Sequence, residues 1–282
     1  MSITVFELEC LAKDDIHIPR DSYIGYPLRN LVYTIIEGVD HEYFTEIHSG
    51  GAVAPFAVKP PIGAQRGRIS ILRWGVGGGS LFKFEVRCLN ERFAKTFLKG
   101  ISEVSVINLA GGDAEIIAVK AHTIESAVIL SEAEKLSKHK RLLVSFRTPT
   151  VLRLKVKGRD KHAVLFPLPD PRLIFTNLHM VWNSYMKPRI SKRYLTWLNE
   201  MGICPAALLN VRTVRLFEYE KNKRKRFDIG FIGRARFALV EELYDKTMAT
   251  YTYALLKFAE YSNIGKGRTA GLGVVRLLRP TS

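Results

Sequence analysis

The order of strands and helices predicted from the sequence occurs twice along the chain, and this repeat constrains the fold more than any other feature. In the first half, hydrophobic periodicity predicts the order strand, helix, strand, strand, helix, strand. These elements cover residues 3–11, 24–36, 68–74, 81–89, 91–98 and 104–107, with a short extra helix over 40–48. Gly77, Gly78 and Gly79 are predicted to form the hairpin turn between the two adjacent strands.

The second half repeats this order after the polar stretch 131–140, which is the predicted boundary. Its predicted elements are 142–157, 172–185, 191–201, 208–219, 227–239, 241–261 and 274–278. The two halves share the order of elements and no obvious residue identity. Two βαββαβ units in tandem indicate an α+β protein with two ferredoxin-like domains. We expect the N-terminal domain to span residues 1–130 and the C-terminal domain to span residues 141–282.

The charge of the chain favours a polyanionic partner. Lys and Arg total 43 against 27 Asp and Glu, which leaves a formal net charge of +16. Nucleic acid is the commonest polyanion that such a protein meets. No apolar run approaches the roughly 20 residues of a membrane helix, and the 3 cysteines are too far apart for a disulfide framework or a zinc site. We therefore expect a cytoplasmic protein that binds nucleic acid and no membrane.

A glycine-rich run between the last helix and the last strand is the sharpest local signal. Residues 265–273 read GKGRTAGLG, and glycine lets a backbone approach a ligand closely. Rossmann and P-loop glycine motifs follow a strand and open a helix, so both are excluded by the reverse order here. We expect this run to bind RNA phosphate, although a tight connection is the alternative. The predicted contacts are Gly265, Lys266, Gly267, Arg268, Gly271 and Gly273.

Basic residues elsewhere mark further candidate RNA contacts. Lys223, Arg224 and Lys225 crowd the predicted tip of the second hairpin. Arg234 and Arg236 alternate with apolar residues along one strand, so they share one face of the sheet. Each of these groups could equally be an ordinary solvated surface.

Several motifs give the chain a resemblance to a known family. They are the glycine-rich run, Phe146–Thr150, Phe166–Pro171, Leu31–Tyr33, Ile47–His48 and Pro55–Phe56. With these motifs the chain resembles the repeat-processing endoribonucleases of the RAMP superfamily of CRISPR systems. The resemblance covers nearly the whole chain.

This resemblance implies cleavage of CRISPR precursor RNA within each repeat, without a metal or other cofactor. The 2′-hydroxyl would attack the adjacent phosphate and leave a 2′,3′-cyclic phosphate and a 5′-hydroxyl. The implied partners are the CRISPR repeat RNA and subunits of an interference complex, with the protein as a monomer or a homodimer. The alternative within the superfamily is a non-catalytic RNA-binding subunit.

Tyr33 and His48 match the positions of a catalytic tyrosine and histidine in that family. Histidine can transfer protons near neutral pH, although His41 lies on the same predicted helical face and is a rival. The alternatives without a catalytic role are that His48 is an exposed structural histidine and that Tyr33 is a buried tyrosine. The family usually adds a lysine soon after the histidine, but residues 49–54 contain none. Lys59 is therefore the predicted third group, with Arg20 and Lys266 as alternatives.

Overall fold

The computed structural model describes residues 1–18, 22–48, 53–62, 64–65, 68–69, 75–155, 163–221 and 224–278. The first part of the chain contains β1 (Ser2–Ala12), β2 (Ile16–His17), α1 (Gly25–Val39), α2 (His41–His48), β3 (Phe56–Lys59), β4 (Ala64–Gln65), β5 (Arg68–Ile69), β6 (Gly75–Val76), β7 (Leu81–Cys88), α3 (Glu91–Ile101), β8 (Val106–Leu109), β9 (Gly112–Glu125) and α4 (Ser126–Leu136). The second part contains β10 (Arg141–Thr150), β11 (Leu152–Lys155), β12 (Ala163–Phe166), α5 (Pro171–Tyr185), α6 (Arg193–Asn199), β13 (Ile203–Lys221), β14 (Arg224–Leu239), α7 (Lys246–Ser262) and β15 (Val275–Leu278). Among the described helices, none is long and apolar enough to cross a membrane.

The N-terminal sheet has the strand order β3-β7-β1-β9-β8, and its pairs are antiparallel. Without the short β8, the order is β3, β7, β1 and β9. These correspond to the second, third, first and fourth strands of a ferredoxin-like unit, which lie side by side in that order. Phe56, Val58, Phe84 and Val86 turn inward and pack in one core with α1 and α3. The other face of this sheet, which we call its outer face, carries the residues between them.

The C-terminal sheet repeats the same arrangement with the order β13-β14-β10-β15. Its inner face contributes Val144, Phe146, Ala235 and Phe237 to a core with α5 and α7. The prediction of an α+β protein with two ferredoxin-like units is therefore confirmed.

The predicted hairpin between residues 68–74 and 81–89 is wrong. Strand β7 pairs instead with β3, with Phe56 opposite Cys88 and Lys59 opposite Glu85. The short β5 pairs with β4, and residues 70–74 lie outside the described residues. The sequence did not reveal β3 because only four residues form it, too few to show a clear alternation.

Strand β9 and helix α4 are also absent from the sequence prediction. The predicted fourth strand at 104–107 corresponds only to β8, whereas β9 pairs along almost the whole of β1. Helix α4 occupies most of the predicted polar boundary, and its Ile129 and Ala133 are buried with the C-terminal core. A boundary at residue 130 would fall inside α4, and the division into two domains stays a prediction.

The ends of two further elements differ from expectation. Helix α7 begins at Lys246 rather than at 241, because the Asp245 side chain accepts hydrogen bonds from the first-turn N–H groups. Strand β10 ends at Thr150, and β11 then forms a separate hairpin with β12.

The glycine-rich run joins the two parts of the protein. A short 3-10 turn at Arg268–Ala270 interrupts it. The hydroxyl of Tyr23, just before α1, donates a hydrogen bond of 2.8 Å to the carbonyl of Gly271. The C-terminal run therefore packs directly beside the helix that carries Tyr33.

Candidate active site

The structure brings Tyr33 and His48 into contact. Tyr33 lies on α1 and His48 is the last residue of α2, and their ring centroids are 5.3 Å apart at 81°. The His48 ring also stacks on Phe44, one turn earlier on α2, at 5.1 Å. On its other side, Tyr33 packs edge-on against Phe56 at 5.3 Å. An exposed imidazole and a half-buried phenol are thus held side by side by aromatic packing.

The surroundings of Tyr33 favour its protonated form. Burial raises the pKa of its hydroxyl above the ordinary value, while the charge of Arg29 and a hydrogen bond with the Thr269 side chain partly oppose this rise. Tyr33 therefore keeps its proton at neutral pH and can act as a hydrogen-bond or proton donor. Because Thr269 belongs to the glycine-rich run, Tyr33 also joins α1 to that run.

The rival histidine is turned elsewhere. His41 Nδ1 lies 3.5 Å from Glu37 Oε1 on α1, and the His41 side chain is 73% exposed. Its ring centroid lies 6.2 Å from that of Phe44. Of the two histidines on α2, His48 is the one that packs against Tyr33.

Lys59 does not lie with Tyr33 and His48, which corrects its predicted placement. Side chains alternate along a strand, so Lys59 points to the outer face of the sheet while Phe56 and Val58 point inward. On the outer face Lys59 makes an ion pair with Glu85. Arg87 binds the same carboxylate at 2.8 Å.

The charge of Lys59 is therefore paired with the Glu85 carboxylate, which also binds Arg87. Burial raises the pKa of Glu85, but the charges and hydrogen bonds of Arg87 and Lys59 outweigh it and lower the pKa below the ordinary value. Glu85 thus stays ionised at neutral pH. Arg20, another candidate for the third group, lies outside the described residues.

The glycines of the run are required by the packing of the protein itself. Gly271 has φ +71°, and a Cβ atom there would lie 2.6 Å from Pro60 Cδ. Gly273 also has φ +71°, and its Cβ would lie 1.9 Å from the carbonyl oxygen of Ile264. Both the positive φ and the close approach exclude a larger residue without rearrangement.

Most backbone N–H groups of the run already have acceptors. Those of residues 265, 266, 270, 271, 272 and 273 donate to acceptors within the protein. The side chain of Thr148 further fixes the run by donating to the Gly271 carbonyl at 2.8 Å. Phosphate binding by Gly265, Gly267, Gly271 and Gly273 stays a prediction, and the internal hydrogen bonds explain their conformation without it.

Arg268 is buried rather than presented to a phosphate, which corrects the expectation for this residue. Only 7% of it is exposed. Its guanidinium donates to the carbonyls of Ser262 at 3.0 Å and Ala54 at 3.1 Å. Burial lowers its pKa to about 10, with the nearby Tyr185 opposing the shift, so Arg268 remains charged at neutral pH. Arg268 therefore connects Ala54 to the end of α7.

Tyr185 strengthens the same attachment. Its hydroxyl donates a hydrogen bond to the carbonyl of Val53, the neighbour of Ala54. Asn263 adds a further link, because its side-chain amide donates to the carbonyls of Val58 at 2.8 Å and Arg268 at 3.2 Å. These contacts hold the end of α7 and the glycine-rich run against residues 53–58.

Lys266 also uses its charge within the protein, contrary to its expected role as a phosphate contact. Its Nζ lies 2.8 Å and 2.9 Å from the two carboxylate oxygens of Asp228 on β14. Asp228 is 3% exposed. This ion pair ties the long β13–β14 hairpin to the glycine-rich run.

The remaining predicted RNA contacts lie on β14 and at its tip. Lys223 is outside the described residues, and Arg224 and Lys225 belong to β14 with side chains outside the description. Arg234 and Arg236 lie on the outer face of the C-terminal sheet. Ser145 pairs with both Arg234 and Arg276, so these two arginines share a row across that face.

Sequence reasoning missed two residues beside Tyr33, Arg29 and Thr269, and one arginine on the outer face of the C-terminal sheet, Arg276. Arg29 precedes Tyr33 by four positions on α1, and this helical spacing was a usable signal. Arg276 lies between two apolar residues on β15, and this alternation was a weaker signal. Nothing in the sequence linked Thr269 to Tyr33, because they are far apart along the chain.

Comparisons with known proteins concern the fold and the C-terminal part of the chain. The family model described as CRISPR-associated endoribonuclease Cas6 matches residues 144–275. No curated protein matches the chain. A Cas6 product complex has a TM-score of 0.73 at 20% identity, covering 99% of this chain and 100% of its own. A Thermus thermophilus Cas6 has a TM-score of 0.63 at 19% identity, covering 98% of both chains.

A structure from Pyrococcus furiosus, described as the product of a Cas6-related gene, has a TM-score of 0.63 at 13% identity. It covers 99% of this chain and 100% of its own. These structural matches show that the chain has the fold of Cas6 proteins. Over residues 144–275, the match to the Cas6 family model confirms the resemblance to CRISPR repeat-processing endoribonucleases that the sequence predicted.

Proposed function

We propose that this protein is an endoribonuclease that cleaves CRISPR precursor RNA within its repeats. The observation that carries the proposal is the contact between Tyr33 and His48 beside the glycine-rich run. Phosphodiester cleavage by a neighbouring hydroxyl needs one group that accepts a proton and one that donates a proton. An imidazole and a protonated phenol are suited to those two roles. The match to the Cas6 family model supports the same activity.

The two groups take different roles because Tyr33 is protonated. His48 accepts the proton of the 2′-hydroxyl as its oxygen attacks the adjacent phosphorus. The new O2′–P bond forms, the P–O5′ bond breaks, and Tyr33 donates its proton to the departing O5′. The products are a 2′,3′-cyclic phosphate and a 5′-hydroxyl, and proton exchange with water restores both side chains. No step in this sequence uses a metal ion.

The arginines on the outer face of the C-terminal sheet hold the RNA backbone in this proposal. Strands β10, β14 and β15 bring Arg234, Arg236 and Arg276 to one surface. Contacts of this kind act on phosphates and position the RNA without reading its bases. RNA contact by Lys223, Arg224 and Lys225 stays a prediction from the sequence.

The direct test is cleavage of a labelled CRISPR repeat RNA in excess EDTA. We expect one cut within the repeat, a 2′,3′-cyclic phosphate on the upstream product and a 5′-hydroxyl on the downstream product. A repeat with 2′-deoxyribose at the cleaved position should bind and remain intact. A strict magnesium requirement, or cleavage of the deoxy substrate, would contradict the mechanism. Tight binding without any cleavage would instead identify a non-catalytic RNA-binding subunit.

A further inference from the structure

Arg29 lies on the face of α1 that turns toward the candidate catalytic pair. Residues 26, 29 and 33 are spaced by three and four positions, so Tyr26, Arg29 and Tyr33 follow one another along that face. The guanidinium carbon of Arg29 lies 5.5 Å from the centroid of the Tyr26 ring. This contact places the guanidinium at the Tyr26 ring, and its charge also acts on Tyr33, whose pKa it lowers against the effect of burial.

The same part of α1 runs along the glycine-rich run. At one end, Tyr23 donates to the Gly271 carbonyl. Gly25 then approaches Ala270 so closely that a Cβ atom would lie 1.7 Å from its carbonyl oxygen. Further along, the Tyr33 hydroxyl interacts with the Thr269 side chain. Arg29 therefore lies on α1 between two residues that meet the glycine-rich run, Gly25 and Tyr33.

Three other cations that the sequence suggested for the site, all in the described part of the chain, are engaged within the protein. Lys59 is on the outer face of the sheet with Glu85, Lys266 pairs with Asp228, and Arg268 is buried against two carbonyls. By contrast, no carboxylate in the described part of the chain lies within salt-bridge distance of Arg29. Its half-buried guanidinium thus carries a charge that these partners do not neutralise.

We propose that Arg29 is the third catalytic group and hydrogen-bonds a non-bridging oxygen of the phosphate that is cleaved. This inference rests on the proposed function. A guanidinium presents several N–H donors in a fixed plane and stays charged, which suits it to the charge that builds on phosphate oxygens as O2′ attacks. Donors placed in advance at such a position stabilise the transition state more than the ground state.

The first measurement is single-turnover cleavage of a CRISPR repeat RNA by Arg29→Gln. Lys99→Gln is the matched control, because Lys99 is an exposed cation on α3 away from the pair. Loss of one such donor slows an enzyme by roughly 10²–10³-fold, and we expect a slowing of that size for Arg29→Gln and wild-type rates for the control. Binding of the 2′-deoxy repeat should change little in either variant.

The second measurement distinguishes direct contact from a structural effect. Sulfur replaces one or the other non-bridging oxygen of the cleaved phosphate, and the two isomers are cleaved separately. The wild-type protein should cleave one isomer more slowly, because sulfur is a poor acceptor for the guanidinium. That preference should disappear in Arg29→Gln and be reduced in Arg29→Lys, which keeps the charge but not the planar group. If Arg29→Gln does not fold, the same comparison on Arg29→Lys decides the question.

Two results would overturn the inference. One is that Arg29→Gln cleaves at the wild-type rate while His48→Ala is inactive. That result would overturn the role of Arg29 and leave the proposed function unchanged. The other is slow cleavage by Arg29→Gln with the full isomer preference retained, which would mean that Arg29 only supports α1. Full activity of His48→Ala would instead contradict the proposed catalytic pair, and no cleavage by the wild-type protein would contradict the proposed function itself.

Discussion

Replacing Lys266 by methionine should destabilise the protein and leave the salt dependence of RNA binding unchanged. This expectation follows from the ion pair between Lys266 Nζ and both carboxylate oxygens of Asp228. Methionine keeps much of the apolar stem and removes the charge. The Asp228 carboxylate, which is 3% exposed, would then be buried without this partner.

The size of the effect depends on the burial of both partners. Removing one member of a fully buried ion pair costs about 3–5 kcal/mol. The Lys266 side chain is 21% exposed, so the low end, about 3 kcal/mol, is appropriate here. At about 2–4 °C per kcal/mol for a protein of this size class, the Tm should fall by roughly 6–12 °C. The double variant Asp228→Asn/Lys266→Met should recover part of the loss, because it leaves neither charge buried alone.

The assay has two readouts, urea unfolding and the dependence of log Kd on log salt concentration for the 2′-deoxy repeat. A lysine that neutralises a phosphate on single-stranded RNA contributes about 0.7 to that slope. Arg236→Gln serves as the positive control and should make the slope shallower by about that amount. The reasoning is refuted if Lys266→Met lowers the slope similarly while its unfolding midpoint is unchanged, since Lys266 would then contact phosphate.

Three further outcomes are expected. His48→Ala should slow single-turnover cleavage by on the order of 10²–10⁴-fold and His41→Ala should not, and equal effects of the two would remove the distinction between them. Because burial holds the pKa of Tyr33 above its ordinary value of about 10, loss of activity through Tyr33 ionisation should have its midpoint above pH 10. If activity is lost at a lower pH and this loss is absent in Tyr33→Phe, the expectation for Tyr33 is wrong. Gly271→Val should lower the thermal midpoint, since its backbone strain alone costs roughly 1–3 kcal/mol, and an unchanged midpoint would show that the run rearranges without cost.

The repeated order of elements could be predicted because it is recorded in local patterns. Strand β14 alternates clearly, and helix α5 has a proline at its start and an Asp170 cap. Strand β3 could not be assigned to the sheet in the same way. Its partner β7 lies more than twenty residues away, and a glycine-rich turn just before β7 suggested a nearer partner.

The error at Lys59 follows from the missing strand. Had Phe56–Lys59 been recognised as a strand, alternation alone would have put Phe56 and Lys59 on opposite faces. The positions of Tyr33 and His48 were available through the family resemblance, because their motifs are continuous in sequence. The buried roles of Lys266 and Arg268 depend on Asp228 and on the carbonyls of Ala54 and Ser262, which only the folded chain brings near.

The glycine-rich run supports the candidate catalytic pair in this structure. Its own cations are used inward, where Arg268 holds the segment after His48 and Lys266 holds the β13–β14 hairpin. Its Thr269 side chain contacts the Tyr33 hydroxyl from the C-terminal part of the chain. The Tyr33 hydroxyl of one ferredoxin-like unit is thus met by a side chain of the other. In our proposal, cleavage therefore requires both units to be docked. In our proposal the RNA backbone is neutralised by cations outside the run, at Arg234, Arg236 and Arg276 on the outer face of the C-terminal sheet and at Arg29.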